Sequence, residues 1–264
     1  MASRNTAKEN PAKDRDLERA FLIARLAPRR GESILDLGCG TGEDLEKLLD
    51  LHRGVRVIGM DRSDRMLRSA ERRLSKYIKR GTAELLVGDA GKRLPFSSNH
   101  FDAVFSAELM ECLPSRRQGS LVREIHRVLK PGGRVLFLHT DWDTQVWNAS
   151  DRALERKLVH AFCDWTQGWM KSSDGWMGRR LLGIFRKSKL FKDLEVEAHV
   201  LMNDRFMPGA YGHSRAQDLL ALAKAKRGIR PTEAKRFLQD LQSHDRKASY
   251  FYCVTRYVVN GRRR

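Results

Sequence analysis

From Ser33 onward the chain alternates short apolar runs with helical patterns. Residues 33–37, 56–60, 83–87, 101–105 and 134–139 are short and mostly apolar, as strands buried on both faces are. Between them the apolar positions switch to helical spacing. One helix starts at Glu43, with Leu45, Leu48 and Leu49 on one face. Others run from Asp64 to about Tyr77 and from Ser115 to Val128, where Lys130-Pro131-Gly132-Gly133 ends the helical pattern. A helix at 14–26, with Leu17, Ala20, Phe21 and Ala24 on one side, precedes them. Strand and helix in this rhythm predict an α/β fold whose parallel sheet is covered by helices on both faces.

After Thr140 the rhythm changes. All five tryptophans fall between Trp142 and Trp176. A helical stretch is expected from Ser150 to Trp169, with Phe162, Trp165 and Trp169 on one side. Leu194, Val196, Ala198 and Val200 alternate as a strand over 194–201, a second helical stretch spans about 214–242, and the run Tyr250–Val259 is β-branched and aromatic. The expected organisation is a disordered tail at 1–13 and a single domain at 14–259. That domain has a ligand-binding core at 30–140 and a helical cap at about 142–190 and 203–246. Residues 260–264 are expected to be a solvated basic tail.

The most specific pattern is Asp36-Leu37-Gly38-Cys39-Gly40-Thr41-Gly42, at the end of the first strand and just before a helix. Glycines there permit positive φ and remove the β-carbons that would hold a ligand away. The spacing is GxGxG, one residue short of the dinucleotide fingerprint, and a carboxylate at Asp36 would repel a pyrophosphate. It would favour an ammonium group, which S-adenosylmethionine carries. The second strand ends at Met60-Asp61, where an acid suits the two hydroxyls of a ribose. The third ends at Gly88-Asp89-Ala90, where a carboxylate can accept from an adenine amino group. Three acids behind three successive parallel strands lie at one edge of the sheet.

With these residues the chain resembles the class I S-adenosylmethionine-dependent methyltransferases, most nearly the UbiE/arsenite-methyltransferase-like group. Leu94-Pro95-Phe96, Phe101-Asp102-Ala103-Val104-Phe105-Ser106 and Glu124-Ile125-His126-Arg127-Val128-Leu129-Lys130-Pro131-Gly132-Gly133-Arg134-Val135 extend the resemblance over about 30–140. It implies a Rossmann-like sheet of seven strands, mostly parallel, with cap insertions after strands five and six. Strands 194–201 and 250–259 would be the sixth and the antiparallel seventh. It also implies that Arg62 and Met66 flank the ribose and adenine and that Ser106 lines the methionine end. The expected cofactor set is Asp36, Gly38, Cys39, Gly40, Gly42, Asp61, Arg62, Met66, Asp89, Ala90 and Ser106. S-adenosylhomocysteine would be the product.

Methyl transfer from a sulfonium needs alignment and exclusion of water, and a general base only where the nucleophile is protonated. Strand five ends at His139-Thr140-Asp141. His139 is a candidate base against the reading of a hydrogen-bonded core histidine. Asp141 is a candidate base or substrate anchor against that of a turn acid. Glu108 and Glu111 follow strand four and face either solvent or pocket. Trp142 and Trp147 are candidates for a pocket wall, and Tyr211 and His213 for a loop covering it. No Asn/Asp-Pro-Pro-Tyr follows strand four, so methylation of exocyclic amines is disfavoured. No Pro-Cys nucleophile suits a pyrimidine ring. The scattered Cys39, Cys112, Cys163 and Cys253 disfavour arsenic chemistry and form neither a zinc site nor a disulfide framework, and no metal is expected.

Charge adds a second reading. The chain of 264 residues carries a net +18. Arg65, Arg68, Arg72, Lys76 and Lys79 share one face of the helix beginning at Asp64, opposite Met66, Leu67, Ala70, Leu74, Tyr77 and Ile78. No apolar run reaches the ~20 residues of a membrane span, the N-terminus lacks a secretory core, and acids at 9, 14, 16 and 18 argue against a transit peptide. A cytoplasmic enzyme methylating a small acceptor, apolar, aromatic or acidic, is the leading expectation. A methyltransferase acting on RNA or another macromolecule is the alternative, and a non-catalytic cofactor-binding scaffold is the third.

Overall fold

The computed structural model of the chain describes residues 13–168, 170, 172–225 and 228–264. The tail expected at 1–13 lies almost wholly outside them, as does Trp169. The described elements are α1 (Lys13–Leu26), β1 (Ser33–Leu37), α2 (Glu43–Leu51), β2 (Arg56–Asp61), α3 (Asp64–Lys79), β3 (Ala83–Val87), β4 (Phe101–Ala107), α4 (Ser115–Val128) and β5 (Leu129–Thr140). There follow β6 (Val146–Trp147), α5 (Arg152–Cys163), α6 (Met177–Ser188), β7 (Phe191–Asn203), α7 (Tyr211–Lys224), α8 (Pro231–Arg246) and β8 (Tyr252–Arg263).

Two compact units divide the chain. The first holds Arg19–Asp141, Thr166–His199 and Arg256–Arg264. Its sheet has the order β3-β2-β1-β4-β5-β8, with β7 against β8. Strands β1 to β5 pair in parallel, and β8 runs antiparallel to β5 from Arg134↔Arg262 to Thr140↔Arg256. This is the seven-stranded, mostly parallel Rossmann-like sheet that the strand pattern and the resemblance imply. β1 and β4 are buried nearly throughout because helices cover both faces. On one face, α4 and α6 place Leu121, Val122, Ile125, Leu181 and Phe185 in a core with Leu35, Val104 and Phe137. On the other, α1, α2 and α3 place Leu22, Leu45, Leu48 and Leu74 against Ile34, Val57 and Leu136.

The second unit takes in Trp142–Trp165, Val200–Thr255 and residues 13–18. Its helices α5, α7 and α8 enclose a core of Trp147, Phe162, Leu219, Phe237 and Tyr252, and β6 pairs antiparallel with the start of β8. Asp151 caps α5 by accepting from Leu154 N–H at 2.9 Å, and Pro231 opens α8 where a missing N–H costs nothing.

Four expectations differ from the structure. The helix expected to reach Trp169 ends at Cys163, with Asp164 as its C-cap. Helix α6 was not foreseen, although Met177, Leu181 and Phe185 make a buried stripe at four-residue spacing. The stretch expected as one helical insertion at 214–242 is two helices, α7 and α8, with Pro231 starting the second. The terminal arginines are not a solvated tail: β8 continues to Arg263, which donates to Asn99 Oδ1 and Leu129 O, and Arg264 donates to Phe191 O at 3.1 Å.

Candidate functional site

At the C-terminal edge of the first unit's parallel strands lies a cavity of about 860 Å³. Its walls come from the turn after β1 (Gly38, Gly40), the end of β2 and start of α3 (Met60 to Ser63, Arg65, Met66), the turn after β3 (Gly88, Asp89, Ala90) and the segment after β4. Gly168 and Met170 complete it. This is where open α/β sheets bind ligands.

The turn after β1 forms because of its glycines. Gly38, Gly40 and Gly42 have φ of 80°, 53° and 76°. A β-carbon at Gly42 would meet Ala70 and Leu74 at 3.1 Å, so glycine there also lets α2 begin against α3. At Gly40 a β-carbon would meet nothing within 4 Å, which leaves that side of the turn open. Gly40 N–H donates to Asp61 Oδ2 at 3.0 Å, and Ser63 N–H donates to Asp61 Oδ1 at 2.8 Å. Asp61 is thereby fixed in the wall, and each of its oxygens keeps a lone pair for a ligand hydroxyl. Asp89 is held similarly by Gly91 N–H at 2.8 Å.

Of the expected cofactor residues, the structure brings Gly38, Gly40, Asp61, Arg62, Met66, Asp89 and Ala90 to one cavity. Four are placed behind it. Asp36 is 2% exposed, and burial, reinforced by the nearby Asp44 and Asp61, raises its pKa well above the ordinary range. Cys39 packs inward beside Gly59, and burial pushes its thiol up. Gly42 starts α2. Ser106 is buried and donates to Leu37 O at 2.6 Å, tying β4 to the end of β1.

The segment after β4 supplies a carboxylate that the sequence left undecided. Glu108 lines the cavity in a left-handed backbone conformation, φ 60°. For a residue other than glycine this costs roughly 1–2 kcal/mol and persists only when surroundings enforce it. Here Thr140 donates to the carboxylate from both N–H and hydroxyl, and Arg256 donates from β8 at 2.6 Å. His139 Nδ1 lies 3.0 Å from its Oε2. Burial opposes ionisation of Glu108, but Arg256, His139 and Thr140 outweigh it and hold its pKa well below the usual carboxylate range. Glu108 therefore faces the cavity as a fixed anion.

His139 is fully buried, and its Nε2 accepts from Glu111 N–H at 3.3 Å. It supports Glu108 from behind and does not reach the cavity wall. Asp141 is also fully buried, in a two-point pair with Arg179 at 2.5 and 2.7 Å. Glu108, Glu111 and His139 each offer a ligand atom, all within 4.8 Å of one another. The Arg256 guanidinium already on Glu108 opposes a cation there.

Trp142, Trp147 and Tyr211 sit elsewhere. Each is less than a tenth exposed in the second unit's core, Trp142 against Phe162 and Trp147 against Phe237 and Tyr252. His213 is half-buried beside Phe206, where burial lowers its pKa. None of the four lines the cavity. Leu109, Cys112, Leu113 and Met170 do, and the sequence did not single them out. Burial, reinforced by Glu111, pushes the Cys112 thiol up to about 12, so it is no nucleophile.

Other motif residues are structural. Asp102 accepts from Ser33 N–H at 2.9 Å and from Lys130 Nζ at 2.8 Å, joining β1, β4 and β5. Arg127 donates to Phe96 O and Leu94 O, and Glu124 accepts from Leu94 N–H, pinning the Leu94-Pro95-Phe96 turn.

Residues 34–133 match the family model described as a methyltransferase domain. Over those residues the chain is similar to the class I S-adenosylmethionine-dependent methyltransferases of the UbiE type. It is 39% identical over 136 residues to the demethylmenaquinone methyltransferase of Lactococcus lactis subsp. lactis (strain IL1403), covering 50% of this chain and 51% of that protein. It is 30% identical over 122 residues to the sterol 24-C-methyltransferase of Pneumocystis carinii (strain B80), covering 46% and 31% respectively. The match thus spans about half the length, or less, of these curated relatives. The solved structure of the YcgJ protein from Bacillus subtilis superimposes with a TM-score of 0.61 at 16% identity, over 94% of this chain and 98% of that one. This likeness shows a shared fold over nearly the whole chain.

Proposed function

We propose that this chain transfers a methyl group from S-adenosylmethionine to a small, largely apolar organic acceptor. One observation carries the reading: Asp61 and Asp89 meet the open Gly38–Gly40 turn at a single cavity beyond the strand ends. That spacing of carboxylates suits a ribose and an adenine. Asp36, buried beneath the turn and biased toward its neutral form, would ionise beside a cationic methionine end.

The acceptor side rests on the remaining walls. Small-molecule sites run to roughly 300–1,000 Å³, so about 860 Å³ leaves room for a second molecule beside a nucleoside. Leu109, Leu113 and Met170 make part of that wall apolar, and Glu108 supplies one anion. The relatives whose domains this chain matches are named for menaquinone precursors and sterols, both apolar. Glu108 is too acidic to be a strong base near neutral pH. It would instead accept a hydrogen bond from a hydroxyl acceptor or face the sulfonium, orienting the two for in-line displacement.

The test is calorimetric titration with S-adenosylhomocysteine, followed by turnover with a panel of phenols and hydroquinones. A charge-assisted hydrogen bond is worth about 1.5–3 kcal/mol, so Asp61→Asn should weaken cofactor binding roughly 10–100-fold, beside a modest drop in melting from losing one of its two backbone hydrogen bonds. Equal affinity in the variant would remove the cofactor assignment. Tight cofactor binding without turnover of any apolar acceptor would remove the acceptor class.

A further inference from the structure

Helices α4 and α6 pack side by side on one face of the first unit's sheet and share one core. Their outer faces are strongly basic. On α6 the exposed positions recur at helical spacing: Arg179, Arg180, Gly183, Arg186 and Lys187, with exposed Trp176 at the N-cap. The α6 sequence contains no acidic residue. On α4, Arg116, Arg117 and Arg123 are exposed, and the lone acid, Glu124, is tied to Arg127. Arg116, Arg117, Arg123, Arg186 and Lys187 pair with no carboxylate among the described residues; on α3, Arg68, Arg73 and Lys76 pair with Asp64, Glu43, Glu46 and Asp50, while Arg65, Arg72 and Lys79 are exposed without such a pair. A layer of two helices that keeps five cations uncompensated lowers its own electrostatic energy by meeting an anionic surface.

We infer that the α4–α6 face docks on a membrane surface bearing anionic lipid. Trp176 decides between a bilayer and a nucleic acid. Its ring is 42% exposed, and the guanidiniums of Arg179 and Arg180 lie over it at 4.9 and 5.2 Å. The two guanidiniums therefore compete with a nucleobase for stacking on the ring. The amphipathic edge remains free to sit at headgroup depth, flanked by cations that pair with lipid phosphates. Met170, which lines the cavity, precedes Trp176 by six positions in the sequence. Use of the surface to collect a lipid-soluble acceptor rests on the proposed function; the docking itself does not.

The test is flotation of the full chain with vesicles of phosphatidylcholine, with and without phosphatidylglycerol, at low and physiological ionic strength. Each basic side chain near an anionic surface contributes about 1 kcal/mol, so Arg116→Glu, Arg123→Glu, Arg186→Glu and Lys187→Glu together should cut partitioning to phosphatidylglycerol vesicles tenfold or more. Melting and S-adenosylhomocysteine binding verify that this variant is folded. A control reverses Arg72, Lys79, Lys235 and Lys247, exposed on or beside α3 and α8, and should retain most of the binding. Trp176→Ala should weaken binding further at physiological salt. The inference is overturned if the wild type ignores phosphatidylglycerol, if the control variant loses as much as the test variant, or if a single-stranded RNA displaces the vesicles from the same face. Vesicle docking with no turnover of apolar acceptors would leave this inference standing and remove only the proposed acceptor.

Discussion

Glu108 shows how much a single residue's role depends on distant partners. Its φ of 60° aims a carboxylate at the cavity, and Arg256, 148 positions later, supplies the counter-charge. Local sequence around Glu108 contains neither fact, so solvent and pocket were equally open to it. The place of Asp61 and Asp89 at the cavity was legible because it follows from strand ends and turns. The pKa of Glu108 is depressed in the fold, so its contribution to stability is present above the ordinary carboxylate pKa of about 4.3 and is lost as pH falls through the lower folded value. Glu108→Gln should lower stability near neutral pH by on the order of 2 kcal/mol, less than the ~3–5 kcal/mol of a fully buried broken pair. The gap to wild type should close on acidification. Chemical denaturation of both proteins between neutral pH and about pH 3 checks this, and a gap that stays constant would mean that Glu108 is not the stabilising anion described.

At the scale of elements, the strand–helix alternation up to Thr140 was readable because each strand there is buried on both faces and each helix has one apolar stripe. The stripe of α6 was present too, at Met177, Leu181 and Phe185, but lay behind a tryptophan-rich run and among arginines. The end of β8 was misread for a related reason. Arg262-Arg263-Arg264 has the composition of a solvated end, yet Arg263 and Arg264 satisfy carbonyls of Leu129 and Phe191. Trp142 and Trp147, the pocket-wall candidates, lie in a core instead, because burial in a second unit is invisible to spacing. The turn after β1 gives a prediction at this scale. Gly42→Ala must hold φ near 76° and press on Ala70 and Leu74. It should cost roughly 2–4 kcal/mol, from left-handed strain plus overpacking between α2 and α3. A melting temperature equal to wild type would show that the α2–α3 junction is looser than described.

For the whole molecule, the proposed methyl donor rests on the matched methyltransferase domain and the cavity's carboxylates, and the proposed acceptor on weaker features: apolar walls, one fixed anion and a basic outer face. Among the described residues no helix is long and apolar enough to cross a membrane. The strong positive charge, which suggested RNA, has a partner in anionic lipid as readily as in phosphodiester. The two differ in where a transferred methyl group ends up. The most direct measurement incubates the protein with methyl-labelled S-adenosylmethionine and a cell extract, then separates solvent-extractable small molecules, RNA and protein before mass spectrometry. The account predicts label in a small solvent-extractable product that depends on Asp61. Label in RNA or protein, or none anywhere despite cofactor binding, would contradict it.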